Sequence, residues 1–352
     1  MLLTPWHFSG CQWAKVCAAD PPYHELTISS MIAPQLDMPA LASHFHRRTL
    51  LFLMASGLLS QPLRAQAPRQ ARLMVIGGAE DRLQDRLILR KFVDYSGGSG
   101  ARIRLITAAS AEPDGVWDSY RKVFQELGVA DVQPLALTDQ DSAHAPELQQ
   151  DILQADGIFI SGGDQGKLMQ ALWETPAYTS LHEAFHVRGC CLAGTSAGAA
   201  VMSRHMIAQG VSVLRPSKDA TATDMGLGFI TQAVVDQHFS ERRRLARLMS
   251  TLALRPDLLG VGIDEDTALV IERNQAIEVI GRGSVTIVDP TRMRSNVDEV
   301  EAAEQIEMLG VELHMLPAGR RYSMDTADIP AHWPGHLKKV LMRLAMQGPI
   351  RG

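Results

Sequence analysis

Gly194-Thr195-Ser196-Ala197-Gly198 sets a hydroxyl between two glycines, directly after the apolar run Cys190-Cys191-Leu192-Ala193. This G-x-S-x-G pattern suits a nucleophile elbow, where small neighbours permit the strained strand-to-helix turn that lifts a serine into the open. The helix start beside it offers unpaired N–H groups to a developing oxyanion. Taken alone, the pattern equally fits a Gly/Ala-rich junction without chemistry. A reactive serine also needs a base within hydrogen-bond reach and an acid that orients the base. Val234-Val235-Asp236-Gln237-His238 reads as a strand ending in a histidine, and Leu259-Gly260-Val261-Gly262-Ile263 as a strand ending in Asp264-Glu265-Asp266. Ser196, His238 and Glu265 thus offer nucleophile, base and acid, each expected at a strand end of one parallel sheet. Their order differs from the Ser, acid, His order of α/β-hydrolases, which argues against an ordinary lipase or esterase.

Two further glycine pairs stand at strand ends. Gly77-Gly78-Ala79-Glu80-Asp81 follows the apolar run 72–76, and Gly162-Gly163-Asp164-Gln165 follows the run 157–161. Backbone beside paired glycines can approach a substrate closely, so the Gly163 and Asp164 amides are expected oxyanion donors together with Ala197. A plain glycine-rich turn is the other reading. Past His238, Arg242-Arg243-Arg244 and Arg247 are expected on a helix, with Arg242 and Arg243 in its first turn. Cations there oppose the helix dipole, which suggests a purpose such as gripping a carboxylate. A solvated basic face remains the alternative.

The elements that must hold these groups alternate. Strands are expected at 72–76, 102–107, 131–136, 157–161 and 259–263, with helices at 83–95, 116–127, 146–155, 168–173 and 178–186. Short connections between them predict an α/β fold, a mostly parallel sheet flanked by helices. Residues 209–224 read as a polar surface loop, and 333–346 as a closing helix.

Composition narrows the function further. A 352-residue chain with 46% hydrophobic and 21% charged residues has ample material for a core. A net charge of −5 and only 5% aromatics speak against nucleic-acid binding. Cys190 and Cys191 are adjacent in an expected strand, so they should point to opposite faces as small core residues. No C-x-x-C occurs, and neither a metal nor a cofactor is expected. Arg47-Arg48, the apolar run 49–59 and Ala65-Gln66-Ala67 read as a secretory signal peptide over 38–67. The expected organisation is an upstream and signal segment at 1–67 and one α/β catalytic domain at 68–352. The mature protein is expected to be secreted or periplasmic and free of the membrane, with a homodimer left open.

The five motifs together resemble those of cyanophycinases: Gly77–Asp81, Ser161–Gln165, Gly194–Ala199, Asp236–Phe239 with its arginines, and Gly262–Ala268. These serine exopeptidases are related to the aspartyl dipeptidase peptidase E, on a flavodoxin-like fold similar to class I glutamine amidotransferases. The resemblance implies hydrolysis of cyanophycin, a poly-aspartate carrying arginine on each side-chain carboxylate, to β-aspartyl-arginine dipeptides. It implies Ser196 as nucleophile, His238 as base and Glu265 as orienting acid. It also implies that Gln165, Asp236, Gln237, Arg242, Arg244 and Arg247 line the substrate pocket. The rival within the same chemistry is a peptidase E-like dipeptidase acting on short aspartyl peptides.

Overall fold

The computed structural model describes residues 70–325 and 333–345. The expected signal peptide and upstream segment lie outside the described residues. In chain order the first elements are β1 (Arg72–Ile76), α1 (Leu87–Ser96), β2 (Arg102–Ile106), α2 (Pro113–Glu126), β3 (Asp131–Pro134) and α3 (Pro146–Gln154). Next come β4 (Gly157–Ile160), α4 (Gln165–Leu172), α5 (Pro176–His186), β5 (Cys191–Thr195) and α6 (Ala197–Ala200). The hairpin β6 (His205–Gly210) and β7 (Thr221–Met225) is followed by β8 (Ala233–Gln237), α7 (Leu245–Leu254) and β9 (Leu259–Ile263). Then follow β10 (Thr267–Glu272), β11 (Ala276–Gly281), β12 (Ser284–Asp289), β13 (Arg294–Ser295) and β14 (Met308–Leu309). β15 (Glu312–Pro317), β16 (Arg320–Ser323) and α8 (Gly335–Ala345) complete the series.

An eight-stranded sheet in the order β16-β11-β10-β1-β5-β4-β2-β3 forms the centre. The five strands from β1 to β3 run parallel, and the three beyond β1 are antiparallel. β4 and β5 are buried along their whole length, as continuous apolar runs in a helix-covered sheet should be. Cys190 joins the core on one face and Cys191 the core on the other, as alternation along a strand requires. On the Cys191 face, Phe159 of β4 meets Phe92 of α1 at 5.4 Å and Phe124 of α2 at 5.8 Å between ring centroids. Each such fully buried side chain contributes about 1.5–3 kcal/mol.

Three expectations need correction. α1 starts at Leu87, because the Asp81 carboxylate takes the amides of Leu83, Gln84 and Arg86 and holds that stretch as a turn. The stretch 209–224 contributes to an antiparallel hairpin, β6 with β7, rather than a loop throughout. The sheet is also not single. β8 and β9 belong to a four-stranded sheet in the order β15-β12-β9-β8, and only then does the chain cross to β10 beside β1. The sequence could not show this, since a buried apolar strand reads the same whichever sheet it joins. His238 N–H donates to Gly77 O at 2.8 Å, and this bond links the end of β8 to the end of β1.

Candidate active site

Ser196 stands between β5 and α6 with φ 53° and ψ −112°, a conformation that an L-residue adopts at a cost. The surroundings hold it there. Its N–H donates to Ile76 O at 3.1 Å, and its carbonyl accepts the amides of Ala199 and Ala200. A Cβ on Gly194 would come within 2.2 Å of Gly198 O, so strand and helix meet too closely for any side chain there. Beneath the turn, Thr195 Oγ1 donates to Glu80 Oε2 at 2.5 Å, and Tyr120 donates to the other oxygen of Glu80. Glu80 is buried, so both hydroxyls go to an anion removed from water. Glu80 was legible only as part of a glycine loop; Tyr120, on α2, carried no signal of this role.

His238 follows β8 at φ 49° and turns its ring toward the elbow. Its Nε2 is 2.9 Å from Ser196 Oγ, and its Nδ1 is 2.6 Å from Glu265 Oε1. Gly78 lies flat against the ring: a Cβ there would sit 2.3 Å from His238 Cε1, and its φ of +102° already favours glycine. Burial is the main influence that lowers the His238 pKa from its usual 6.5, aided by the positive charge of Arg242 and opposed by Glu265. The ring is therefore neutral at pH 7. Its Nδ1–H faces the carboxylate, and Nε2 is free to accept the serine proton.

The three acids after β9 have separate partners. Glu265 faces His238, and its own N–H donates to Glu241 Oε2 at 3.1 Å. Asp264 accepts the N–H and hydroxyl of both Ser240 and Ser284, which binds the β8 and β12 ends together. Asp266 accepts the Asp81 N–H at 2.9 Å and pairs with Arg282 at 3.2 Å. A run of three carboxylates is thus satisfied with only the middle one turned to the histidine.

The expected oxyanion donors divide. Ala197 opens α6, so its N–H has no carbonyl one turn back. Among the described residues the Gly163 amide donates to no backbone carbonyl, and Gly162 packs against Ser196, with 3.1 Å between its Cβ position and Ser196 Cβ. The Asp164 amide is a correction. It donates to Ala109 O at 2.8 Å, and its side chain caps α4 through the Gly166 and Lys167 amides. That N–H is spent on the loop.

The expected pocket residues also separate. Arg242 and Arg243 lie in the turn before α7, which begins at Leu245 with Arg244 as its cap, so the first-turn argument does not hold. Arg247 sets Nε and Nη2 on the two oxygens of Asp236 at 2.8 and 2.5 Å, and its Nη1 on Gly210 O at 2.7 Å. Arg244 Nη1 donates to Gln237 O at 2.6 Å and to Asp236 Oδ1 at 3.3 Å. Asp236, Gln237, Arg244 and Arg247 are all buried. Desolvation brings the Arg244 pKa down to about 10, against the pull of Asp236. This is neither a solvated basic face nor a free carboxylate clamp, but a buried ionic anchor joining β8, α7 and the β6 hairpin. Gln165 likewise donates its amide to Ile207 O and Ala208 O at 3.1 and 2.7 Å, which ties α4 to β6. Arg242 differs. It is exposed, enters no ion pair among the described residues, and its N–H is bonded to His238 O.

This geometry can run acyl transfer by a hydroxyl nucleophile. A family model, peptidase family S51, matches residues 73–279, more than half of the chain, with Ser196, His238 and Glu265 all inside the match. The chain belongs to peptidase family S51. As a member of it, the chain is a serine-type peptidase. It is 39% identical over 279 residues to a cyanophycinase of Trichormus variabilis, covering 79% of this chain and 93% of that one. It is 40% identical over 258 residues to a cyanophycinase of Geminocystis herdmanii, covering 73% and 95% of the two chains. The crystal structure of a peptidase from an acI-B1 actinobacterium is similar at a TM-score of 0.54 and 24% identity, over 73% of this chain and 98% of that chain. That likeness bears on the fold, an α/β peptidase fold with a mostly parallel central sheet.

Proposed function

We propose that this S51 peptidase hydrolyses cyanophycin and releases β-aspartyl-arginine dipeptides, with Ser196, His238 and Glu265 as the reacting triad. The observation that carries it is the relay itself, Ser196 Oγ to His238 Nε2 at 2.9 Å and His238 Nδ1 to Glu265 at 2.6 Å. Support for the substrate comes from relatives of that name at 39–40% identity that this chain spans almost end to end.

In this mechanism Ser196 Oγ attacks the scissile carbonyl carbon while His238 Nε2 takes its proton. Glu265 stabilises the imidazolium that results. The tetrahedral oxyanion is held by the Ala197 and Gly163 amides. Collapse expels the amine, which takes the proton back from His238 and leaves an acyl-serine. Water, deprotonated by the same histidine, then hydrolyses the ester. Arg242, exposed beside His238, is the cation available to a free carboxylate of the polymer, on an attached arginine or at the chain end.

The decisive experiment offers purified protein insoluble cyanophycin and, separately, short aspartyl dipeptides, with mass analysis of the products. The polymer should yield β-aspartyl-arginine. Cleavage of the dipeptides alone would replace this reading with a peptidase E-like one. The same proposal places the enzyme outside the cytoplasm after removal of residues 38–67. Terminal sequencing of protein from the culture medium or periplasm should find a start near residue 68. Full activity confined to washed cytosol, with 38–67 still attached, would overturn the export part.

A further inference from the structure

Glu312 and His314 are two residues apart on β15, so their side chains leave the same face of that edge strand. The first turn of α8 brings His336 to them. His336 Nε2 is 2.8 Å from Glu312 Oε2, and the two imidazole centroids are 5.2 Å apart. One donor atom from each of Glu312, His314 and His336 lies within 4.8 Å of the others. The Nε2 atom of His314 is buried and has no hydrogen-bond partner. A buried nitrogen left in that state is destabilising, so a ligand for it would be stabilising.

We propose that Glu312, His314 and His336 form a binding site for one divalent cation of borderline softness, zinc being the best match. Two imidazoles and a carboxylate are a donor set that suits zinc and is poor for calcium or magnesium, which prefer oxygen ligands throughout. Tetrahedral zinc at about 2.0–2.1 Å from each donor sets donors about 3.4 Å apart, so small rotamer adjustments close the cluster. Glu312 would bind through one oxygen, because its Oε1 is paired with Arg292 at 3.3 Å while Oε2 faces His336. A cavity of about 240 Å³ reaches Glu312 and His336, giving the ion a way in and room for water as a fourth ligand. Arg343 lines the same cavity, where its charge is engaged by Asp289, Thr291 and Asp257 O rather than by Glu312.

The site is remote from the triad. Asp289 pairs with Glu312 at one end of the four-stranded sheet, and Val285, the partner of Ile263, marks the other end, where the chain continues to Glu265. Strand rise makes that separation roughly 15 Å. The ion would fasten α8 to the sheet edge and take no part in hydrolysis.

The test is zinc titration by calorimetry of purified chelator-stripped protein, with metal content measured after gel filtration. Wild-type protein and the control His144→Ala, at an exposed histidine, should retain one zinc per chain and melt at higher temperature with zinc present. His314→Ala and His336→Gln should lose that equivalent. Their loss of affinity should exceed the roughly 10–100-fold that follows removal of an outer-shell partner. His336 is partly exposed, so its variant should fold even if that of His314 does not. Zinc binding by His336→Gln equal to wild type, or no stoichiometric zinc in wild type, would overturn the site. Loss of peptidase activity on stripping would overturn its purely mechanical role.

Discussion

Arg247 Nη2 lies 2.5 Å from Asp236 Oδ1, with both residues buried where β8 passes into α7. Two residues further on, just past the end of β8, stands His238, so this ion pair sets the platform from which His238 is aimed. Arg247→Ala leaves a buried carboxylate without its main partner and should lower stability by about 3–5 kcal/mol. Urea denaturation at pH 7 measures it. Arg242→Ala, at an exposed position, should change stability by less than about 0.5 kcal/mol while raising KM. The opposite pattern would restore Arg247 to the substrate pocket.

The protonation of His238 gives a pH test with a definite sign. The ring must be neutral to accept the serine proton, and its pKa is depressed below 6.5, chiefly by burial. Activity should therefore be present at neutral pH and fall only as pH drops through a midpoint below 6.5. Arg242→Gln removes a cation that disfavours imidazolium, so the acid limb of kcat/KM should move up. Glu265→Gln removes the stabilising anion, so that limb should move down while kcat falls by roughly 10⁴-fold. Shifts in the same direction for both variants would contradict the electrostatic assignment.

Gly78→Ala tests how closely the first glycine loop packs on the base. The added methyl would meet His238 Cε1 at 2.3 Å, in a backbone conformation that already disfavours side chains. Turnover should collapse while far-UV circular dichroism stays native. A variant with near-normal kcat would show that the His238 ring is free to move aside.

The buried Glu80 carboxylate links Tyr120 to Thr195, the residue before Ser196. Tyr120→Phe removes one of its two hydroxyl donors and should cost about 1–3 kcal/mol of stability. If the network also positions the elbow, kcat should fall with KM little changed. An unchanged melting temperature would mean that the buried carboxylate finds another partner.

Much of this is legible in the sequence itself. Alternating apolar runs and glycine stops gave the five parallel strands and their helices, and Ser196, His238 and Glu265 do converge as their strand ends suggested. What stayed hidden depends on partners distant in sequence. That Arg244 and Arg247 spend their charge on Asp236 follows from burial, which an arginine-rich stretch does not reveal. That the Asp164 amide is taken by Ala109 depends on a loop 55 residues earlier. The second sheet was invisible because β9 and β10, a few residues apart, are equally apolar yet join different neighbours. Glu312, His314 and His336 carry no metal motif in the sequence, since a strand and a helix must meet before they form a group.

The central claim rests on Ser196 acting on the polymer through His238. Wild-type protein and Ser196→Ala should be incubated in parallel with insoluble cyanophycin, with soluble products followed by mass spectrometry. Wild type should release β-aspartyl-arginine steadily, and the variant, folded and equally stable, should be slower by roughly 10⁵–10⁶-fold. Dipeptide release by Ser196→Ala at a rate near that of wild type would contradict the account.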